Sequence, residues 1–529
     1  MKKRHWIIII LAAAAMLRLW GLAEKSLWVD ELHSISVSRE FDNILPYCSE
    51  GHTPPLRYYM IHFLMQAKPV EAFVRLPSAL SGIAATLAVY LLTLLLFGNT
   101  AAIVAGLIFA FSPWQIVHAQ DARMYAVFFM LSAFSVLLVF RGMEKDRKAE
   151  WIGAGVIMAI NAYITYFALW VNFIIFVFLC CLVLFRILKV KNISPPLSAK
   201  KLLINMAICY GAAAVVYSPW LLNLGHLMEK YNFTFLDTGI VTAAFAQENS
   251  PEETEQNLTT EPPVPGSAAP RVGHNPFLTK YNVAYFTGFL KKMGSENIIA
   301  SFALLLFFIL GLIVSFFQRR DFLLLCILWI VIPVIMVSTN RSLSFYFPHR
   351  YLFFYHLVFI IPAALGIVKS GEWISRKIPA FSRYLKERFS FNRSSEIIIA
   401  LITAAFIVFF MIENIRYFSR ENQNWRGAMA FLDEKVRDGD VIVTGHCWTE
   451  HGVKYYHDKE SGKVTRLISD CLLVEDFREA VRSYSSLWYI NWGPLPGPVQ
   501  PIVDNNLELI KTFPGMKGDI HIYKKTGGE

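Results

Sequence analysis

Apolar residues in this chain fall in long unbroken blocks, and only toward the C-terminus do they give way to the short periodic patterns of a water-soluble fold. A helix needs roughly 20 apolar residues to cross the hydrocarbon core of a bilayer. Read with a window of about that length, the sequence predicts about eleven spans. They lie at 6–22, 72–97, 101–117, 126–140, 151–165, 167–185, 202–223, 297–317, 321–338, 350–369 and 396–413. The first follows Met1-Lys2-Lys3-Arg4 as the core of a signal peptide would. It ends on Arg18, Leu19 and Trp20 with no small-x-small cleavage site, and so reads as an anchor.

The rhythm changes in the last part of the chain. Helical spacing over 425–436 leads through a turn at Arg437-Asp438-Gly439-Asp440 to a strand at 441–444. A helix at 450–456, a strand at 463–468, a helix at 474–484, a strand at 486–491 and a closing hairpin from 507 to 523 follow. This alternation predicts a small α/β domain over 416–529, behind a membrane domain over 1–415. The predicted class is an α-helical polytopic membrane protein carrying a small C-terminal α/β extracytoplasmic domain. The stretch 247–276, rich in Glu, Thr, Pro and Gly, reads as a disordered insert.

Composition agrees with a bilayer as solvent: 55% of the 529 residues are hydrophobic and 17% charged. The net charge of +10 becomes intelligible once the loops are assigned to sides, because Lys and Arg concentrate in short cytoplasmic loops. With a cytoplasmic N-terminus, alternate loops hold Lys2, Lys3 and Arg4; Arg141, Lys145, Arg147 and Lys148; Arg186, Lys189, Lys191, Lys200 and Lys201; Arg319 and Arg320; and the basic stretch 369–393. The excess charge is then a topology signal and a contact with anionic membrane lipid, and no nucleic-acid partner is expected. Segments 23–71, 118–125, 224–296 and everything after about 414 face outward. The seven cysteines show no zinc spacing. Cys447 and Cys471 both fall outside, where a disulfide between them is open.

The candidate chemistry lies in those outward segments. Asp30 and Glu31 are adjacent carboxylates just past the first span; such neighbours repel, which raises one pKa and makes a better proton acceptor. A solvated helix N-terminus with acidic first-turn residues is the other reading. Farther along the loop, Pro54 and Pro55 stiffen the backbone between His52 and Arg57, as a cradle for an anionic head group requires. Otherwise His52 is a turn residue, and Arg57 and Arg75 are cations reaching for the interface. Asp121 and Arg123 form either a substrate site or a structural ion pair, and His349 and Arg350 come to the same face much later in the chain.

The order Trp28-x-Asp30-Glu31, His52-x-Pro54-Pro55-Leu56, Arg75-Leu76-Pro77-Ser78, Gln120-Asp121-Ala122-Arg123-Met124-Tyr125 and Pro348-His349-Arg350-Tyr351 resembles the GT-C superfamily of membrane glycosyltransferases. Within it, the chain is similar to relatives of protein O-mannosyltransferases and of lipid A aminoarabinose transferases. The resemblance implies sugar transfer from a polyprenyl-phosphate carrier to an acceptor (protein, lipid or glycan), usually with inversion. It also implies that Asp30 is the catalytic acid residue of the first outer loop, with Glu31 as its acidic neighbour. His52, Arg57, Asp121, Arg123, His349 and Arg350 then fall in substrate-binding motifs. Phosphate leaves as a stable anion, so the reaction needs one carboxylate to take the acceptor proton and cations to hold the departing phosphate. Asp30, Glu31, His33 and His52 could ligate a divalent ion, though at no diagnostic spacing, and the enzymes that the chain resembles generally work without one, so a divalent ion stays open. The C-terminal domain, lacking a phosphate loop or nucleophile, is expected to cap the site or position acceptor without adding a catalytic group. The rival class is a lipid or polysaccharide transporter or flippase, which places ionisable groups near the bilayer midplane and often shows internal repeats. These spans are nearly free of charge and no repeat is visible.

Overall fold

A computed structural model describes residues 3–50, 53–190, 197–230, 283–339, 349–377, 394–445, 447–457, 466–468, 474–495 and 497–526. His52, the insert 247–276 and the Cys447–Cys471 pairing lie outside what it describes, in whole or through their side chains.

Each predicted span coincides with a helix. These are α1 (Lys3–Leu19), α5 (Val70–Phe97), α6 (Asn99–Phe111) with α7 (Pro113–Ala119), α8 (Tyr125–Lys145), α9 (Lys148–Ile164) and α10 (Phe167–Ile187). There follow α11 (Ala199–Lys230), α13 (Ile298–Gln318), α14 (Arg320–Thr339), α15 (Tyr355–Lys377) and α16 (Ser394–Phe418). Among the described residues, seven helices are long and apolar enough to cross a membrane, or eight if the bent pair α6–α7 is one span. The bend is 57° and has a local cause. Pro113 opens α7, and Ser112 before it sits at φ −56°, ψ 122°, away from the helical region that a following proline disfavours. Carbonyls freed by a break must find donors where water is absent. Arg18, fully buried, donates to the carbonyl oxygens of Ala110 (2.9 Å) and Phe109 (3.2 Å), and Asn414 Nδ2 donates to that of Phe111 (2.9 Å).

The segment between α1 and α5 folds as three short helices, α2 (Val29–Ser38), α3 (Phe41–Ser49) and α4 (Leu56–Leu64). A further helix, α12 (Val283–Met293), and a 3-10 turn at His349–Leu352 lie near the same end of the bundle. The C-terminal unit runs α17 (Trp425–Lys435), β1 (Val441–Thr444), α18 (Cys447–Tyr456), β2 (Arg466–Ile468), α19 (Val474–Ser483), β3 (Leu487–Trp492), α20 (Gln500–Asn506), β4 (Leu507–Phe513) and β5 (Ile520–Lys525). Its five strands are ordered β2-β1-β3-β5-β4; β1 runs parallel to β2 and β3, and β5 antiparallel to β3 and β4.

This unit shares a core with the loop helices. Leu27, Leu32, Ile35 and Ala122 pack in one apolar cluster with Trp425, Leu432, Trp488 and Ile520. Polar contacts finish the joint. Backbone amides of the loop donate to Glu421 (from Ser26, 3.0 Å), to the Tyr456 hydroxyl (from Leu27, 2.8 Å) and to Gln423 (from Val29, 2.8 Å). Arg426 reaches back to Glu71 at 3.0 Å. Residues 26–29 are thereby fixed from both sides, which sets the entry of α2 and the carboxylates in its first turn.

Candidate functional site

Asp30 and Glu31 begin α2 side by side and diverge at once. Glu31 is fully buried, and both its oxygens are occupied. Arg75 clamps it with Nε and Nη2, each at 2.7 Å, while the Ala122 amide donates at 2.8 Å and the Trp28 amide at 3.1 Å. The last contact is the return half of a helix capping box. Arg75, read from sequence as an interfacial cation, is instead 2% exposed, and its other donors go to the carbonyls of Leu22, Lys25 and Ser26. The pair is a fastener for the loop. Of the two adjacent carboxylates, Asp30 lines the cavity described below and Glu31 does not.

Asp30 keeps a buried Oδ2 without a hydrogen-bond partner. Arg123 Nη2 approaches it only to 3.7 Å, and its Nη1 contacts the Ser34 hydroxyl at 3.3 Å. The Asp30 side chain opens on a cavity of about 320 Å³ lined also by Trp28, His118, Asp121, Tyr125, Arg350 and Trp492. Both Asp121 oxygens have donors, Trp28 Nε1 at 2.7 Å and Lys517 Nζ at 3.0 Å. Burial pushes the Asp121 carboxyl up, but the Lys517 ammonium and the Trp28 indole outweigh it and hold the group below the usual carboxylate range.

A second cavity of about 480 Å³ adjoins the first, with His118, Arg350 and Met516 common to both walls. Its charged lining comprises five cations, Lys291, Lys292, Arg350, Arg416 and Arg420, against Glu296 and Glu413. Glu296 is already paired with Lys292 at 2.7 Å. An excess of fixed cations at a concave surface is a binding site for an anion. His349 lines it too, but burial pushes its imidazole below the ordinary value. The ring donates from Nε2 to the Tyr285 carbonyl at 3.0 Å, the one arrangement a carbonyl partner permits.

The expected substrate contacts therefore divide. Asp121, His349 and Arg350 line a cavity. Arg57 lines neither; its guanidinium is turned to the Tyr58 hydroxyl (2.6 Å) and the Met124 sulfur (2.8 Å). Arg123 lines neither and braces Asp30. Sequence reasoning missed Lys291, Lys292, Arg416 and Arg420, although a signal was present: all four sit in segments assigned outward, against the rule that gathers cations inside. It also missed Lys517, which the C-terminal unit adds to the cavity wall. Among the described residues no group of three or more His, Cys, Asp or Glu side chains is placed to hold a metal ion.

Residues 52–223 match the family model of dolichyl-phosphate-mannose-protein mannosyltransferases. Among solved structures, the chain is similar to ArnT from Cupriavidus metallidurans bound to undecaprenyl phosphate, with a TM-score of 0.57, 12% identity and 98% of each chain covered. It is also similar to the Archaeoglobus fulgidus oligosaccharyltransferase tethered to an acceptor peptide, at a TM-score of 0.51 and 14% identity, covering 86% of this chain and 63% of that one. A comparison with curated proteins finds no match. Backbone likeness at such low identity speaks for architecture, and on that architecture, with the motif match over 52–223, the chain has the GT-C fold of membrane glycosyltransferases.

Proposed function

We propose that the protein transfers a sugar from a polyprenyl-phosphate carrier to an acceptor at the extracytoplasmic face, with inversion. The observation that carries this reading is the pair of adjoining cavities: one presents an Asp30 oxygen that has no hydrogen bond, the other a surplus of cations, and Arg350 stands in the wall between them. Undecaprenyl phosphate bound to the similar ArnT fold supports a carrier of that class. Alternation of the basic loops supports the outer face.

In the proposed reaction Asp30 takes the proton of the acceptor group as its heteroatom bonds to the anomeric carbon. The bond from that carbon to the phosphate oxygen breaks on the opposite side, and its electron pair leaves with the carrier phosphate. Arg350, with Lys291, Lys292, Arg416 and Arg420, holds that phosphate. Arg123 orients Asp30, Asp121 shapes the sugar side, and Glu31 serves as a positioning residue through Arg75. Purified protein incubated with a panel of polyprenyl-phosphate sugars and simple acceptors should release carrier phosphate with at least one donor. Arg350→Ala should weaken carrier-phosphate binding roughly tenfold or more, the scale of one charged hydrogen bond lost. Absence of both donor turnover and carrier-phosphate binding would remove the reading.

A further inference from the structure

Lys517 reaches the catalytic cavity from the turn between β4 and β5, and its backbone is held at both ends. Its amide donates to the Asn422 carbonyl at 2.8 Å, while its own carbonyl accepts from Gln423 Nε2 at 2.8 Å and Trp492 Nε1 at 3.0 Å. Two glycines allow the turn to sit this close. Gly518 adopts φ +108°, and a Cβ there would meet Trp492 Nε1 at 2.3 Å; a Cβ on Gly515 would meet the Asn422 carbonyl oxygen at 2.5 Å. From this mount the ammonium lies 3.6 Å from the centre of the Trp28 ring and bonds Asp121. A lysine tied down so thoroughly is part of the wall rather than a passing surface charge.

We propose that Lys517 selects the charge class of the transferred sugar: by compensating Asp121 at the cavity wall, it fits the site to an uncharged monosaccharide and turns away one that carries an ammonium group. This rests on the sugar-transfer reading above. The charges around the cavity leave little choice. Asp121 is matched by Lys517 and Asp30 stands against Arg123, while Arg350 is assigned to the phosphate. A sugar ammonium would have to take Asp30 away from its role as base or lie unpaired beside Lys517. A sugar carboxylate would be buried near two carboxylates already present. Both are costly in a buried site. A neutral ring needs only hydrogen bonds and flat apolar walls, and Trp28, Trp492 and Tyr125 provide the walls. The volume of about 320 Å³ is at the lower end of ligand cavities, roughly 300–1,000 Å³, which suits one sugar ring.

The test uses full-length protein in lipid nanodiscs and three synthetic polyprenyl-phosphate donors that carry a neutral hexose, an amino sugar or a uronic acid. Donor dissociation constants and single-turnover release of carrier phosphate are read for each. The wild type should favour the neutral donor by about tenfold or more over both charged ones. Lys517→Met leaves Asp121 uncompensated and should move the ratio of amino to neutral donor by about tenfold toward the amino sugar, whereas Lys517→Arg keeps the wild-type order. Asp121→Asn frees the opposite charge and should move preference toward the uronic acid, so a folding failure in one variant leaves the other to decide. A wild-type preference for either charged donor overturns the inference, as does an unchanged donor ratio in a folded Lys517→Met or Asp121→Asn protein. Should bare carrier phosphate and every donor fail to bind, the sugar-transfer reading falls and this inference with it. Phosphate binding with unaltered sugar ratios removes the inference alone.

Discussion

Two carboxylates, consecutive in the chain, stand in opposite regions of the molecule. Around Glu31 every donor is in place: a guanidinium fork and two amides occupy its oxygens, and no solvent reaches it. Around Asp30 one buried oxygen lacks a hydrogen bond and the nearest cation stops at 3.7 Å. The difference separates holding from reacting. A carboxylate whose lone pairs are all taken cannot accept another proton without breaking what it holds, whereas one short of hydrogen bonds at a cavity wall keeps a lone pair for an incoming donor, as the proposed reaction requires.

The contrast can be broken most directly at Asp30. Asp30→Asn should cut transfer by about 10²–10⁴ while thermal unfolding and carrier binding stay near wild type. Retention of wild-type single-turnover transfer would take the base assignment from Asp30. At Glu31 the signature should be reversed. Glu31→Ala strands Arg75 as a buried unpaired cation, a loss of about 3–5 kcal/mol that a melting curve in detergent registers; a variant as stable as wild type would refute the fastener. A smaller effect is expected at the border between the two regions. Trp28→Phe keeps a ring under Lys517 but removes the donor to Asp121, a charged hydrogen bond of about 1.5–3 kcal/mol, and should lower both the melting temperature and donor affinity.

The smallest expected effect is in pH. Asp121 titrates below the ordinary aspartate value when folded. Its contribution to stability is therefore fully present above the unfolded value of about 3.9 and is lost as pH falls through the lower folded value. Acid melting curves of wild type should show this loss and those of Asp121→Asn should not; identical curves would argue against the Lys517–Asp121 bond.

Much of the architecture was legible because it depends on local pattern. Apolar blocks located the long helices, but 101–117 reads as one continuous span, and the 57° bend at Pro113 went unread. Alternation after residue 425 gave the strands in their order, though the short helices α3, α4 and α20 carried too weak a period to be read. Asp30 could be singled out, but its divergence from Glu31 could not. That divergence is decided by Arg75, 44 positions away, whose burial no hydropathy window reports. Arg57 misled for a related reason: a rigid Pro-Pro segment fixes where a side chain starts, while Tyr58 and Met124 decide where it points. Lys517 looked like any turn lysine, and only the glycines at 515 and 518 hinted that something packs tightly there.

The bond between Lys517 and Asp121 also has a consequence for biosynthesis. The partners are 396 positions apart, and at about 5–20 residues per second a ribosome needs roughly 20–80 s to deliver the second after the first. During that interval Trp28 can already shelter Asp121, but the cation that matches it does not yet exist. A stalled or truncated translation product is left with an uncompensated acid at the sugar wall. Completion of the protein is thus the event that sets the charge of the pocket, and the same last residues bring β5 into the core shared with the loop helices.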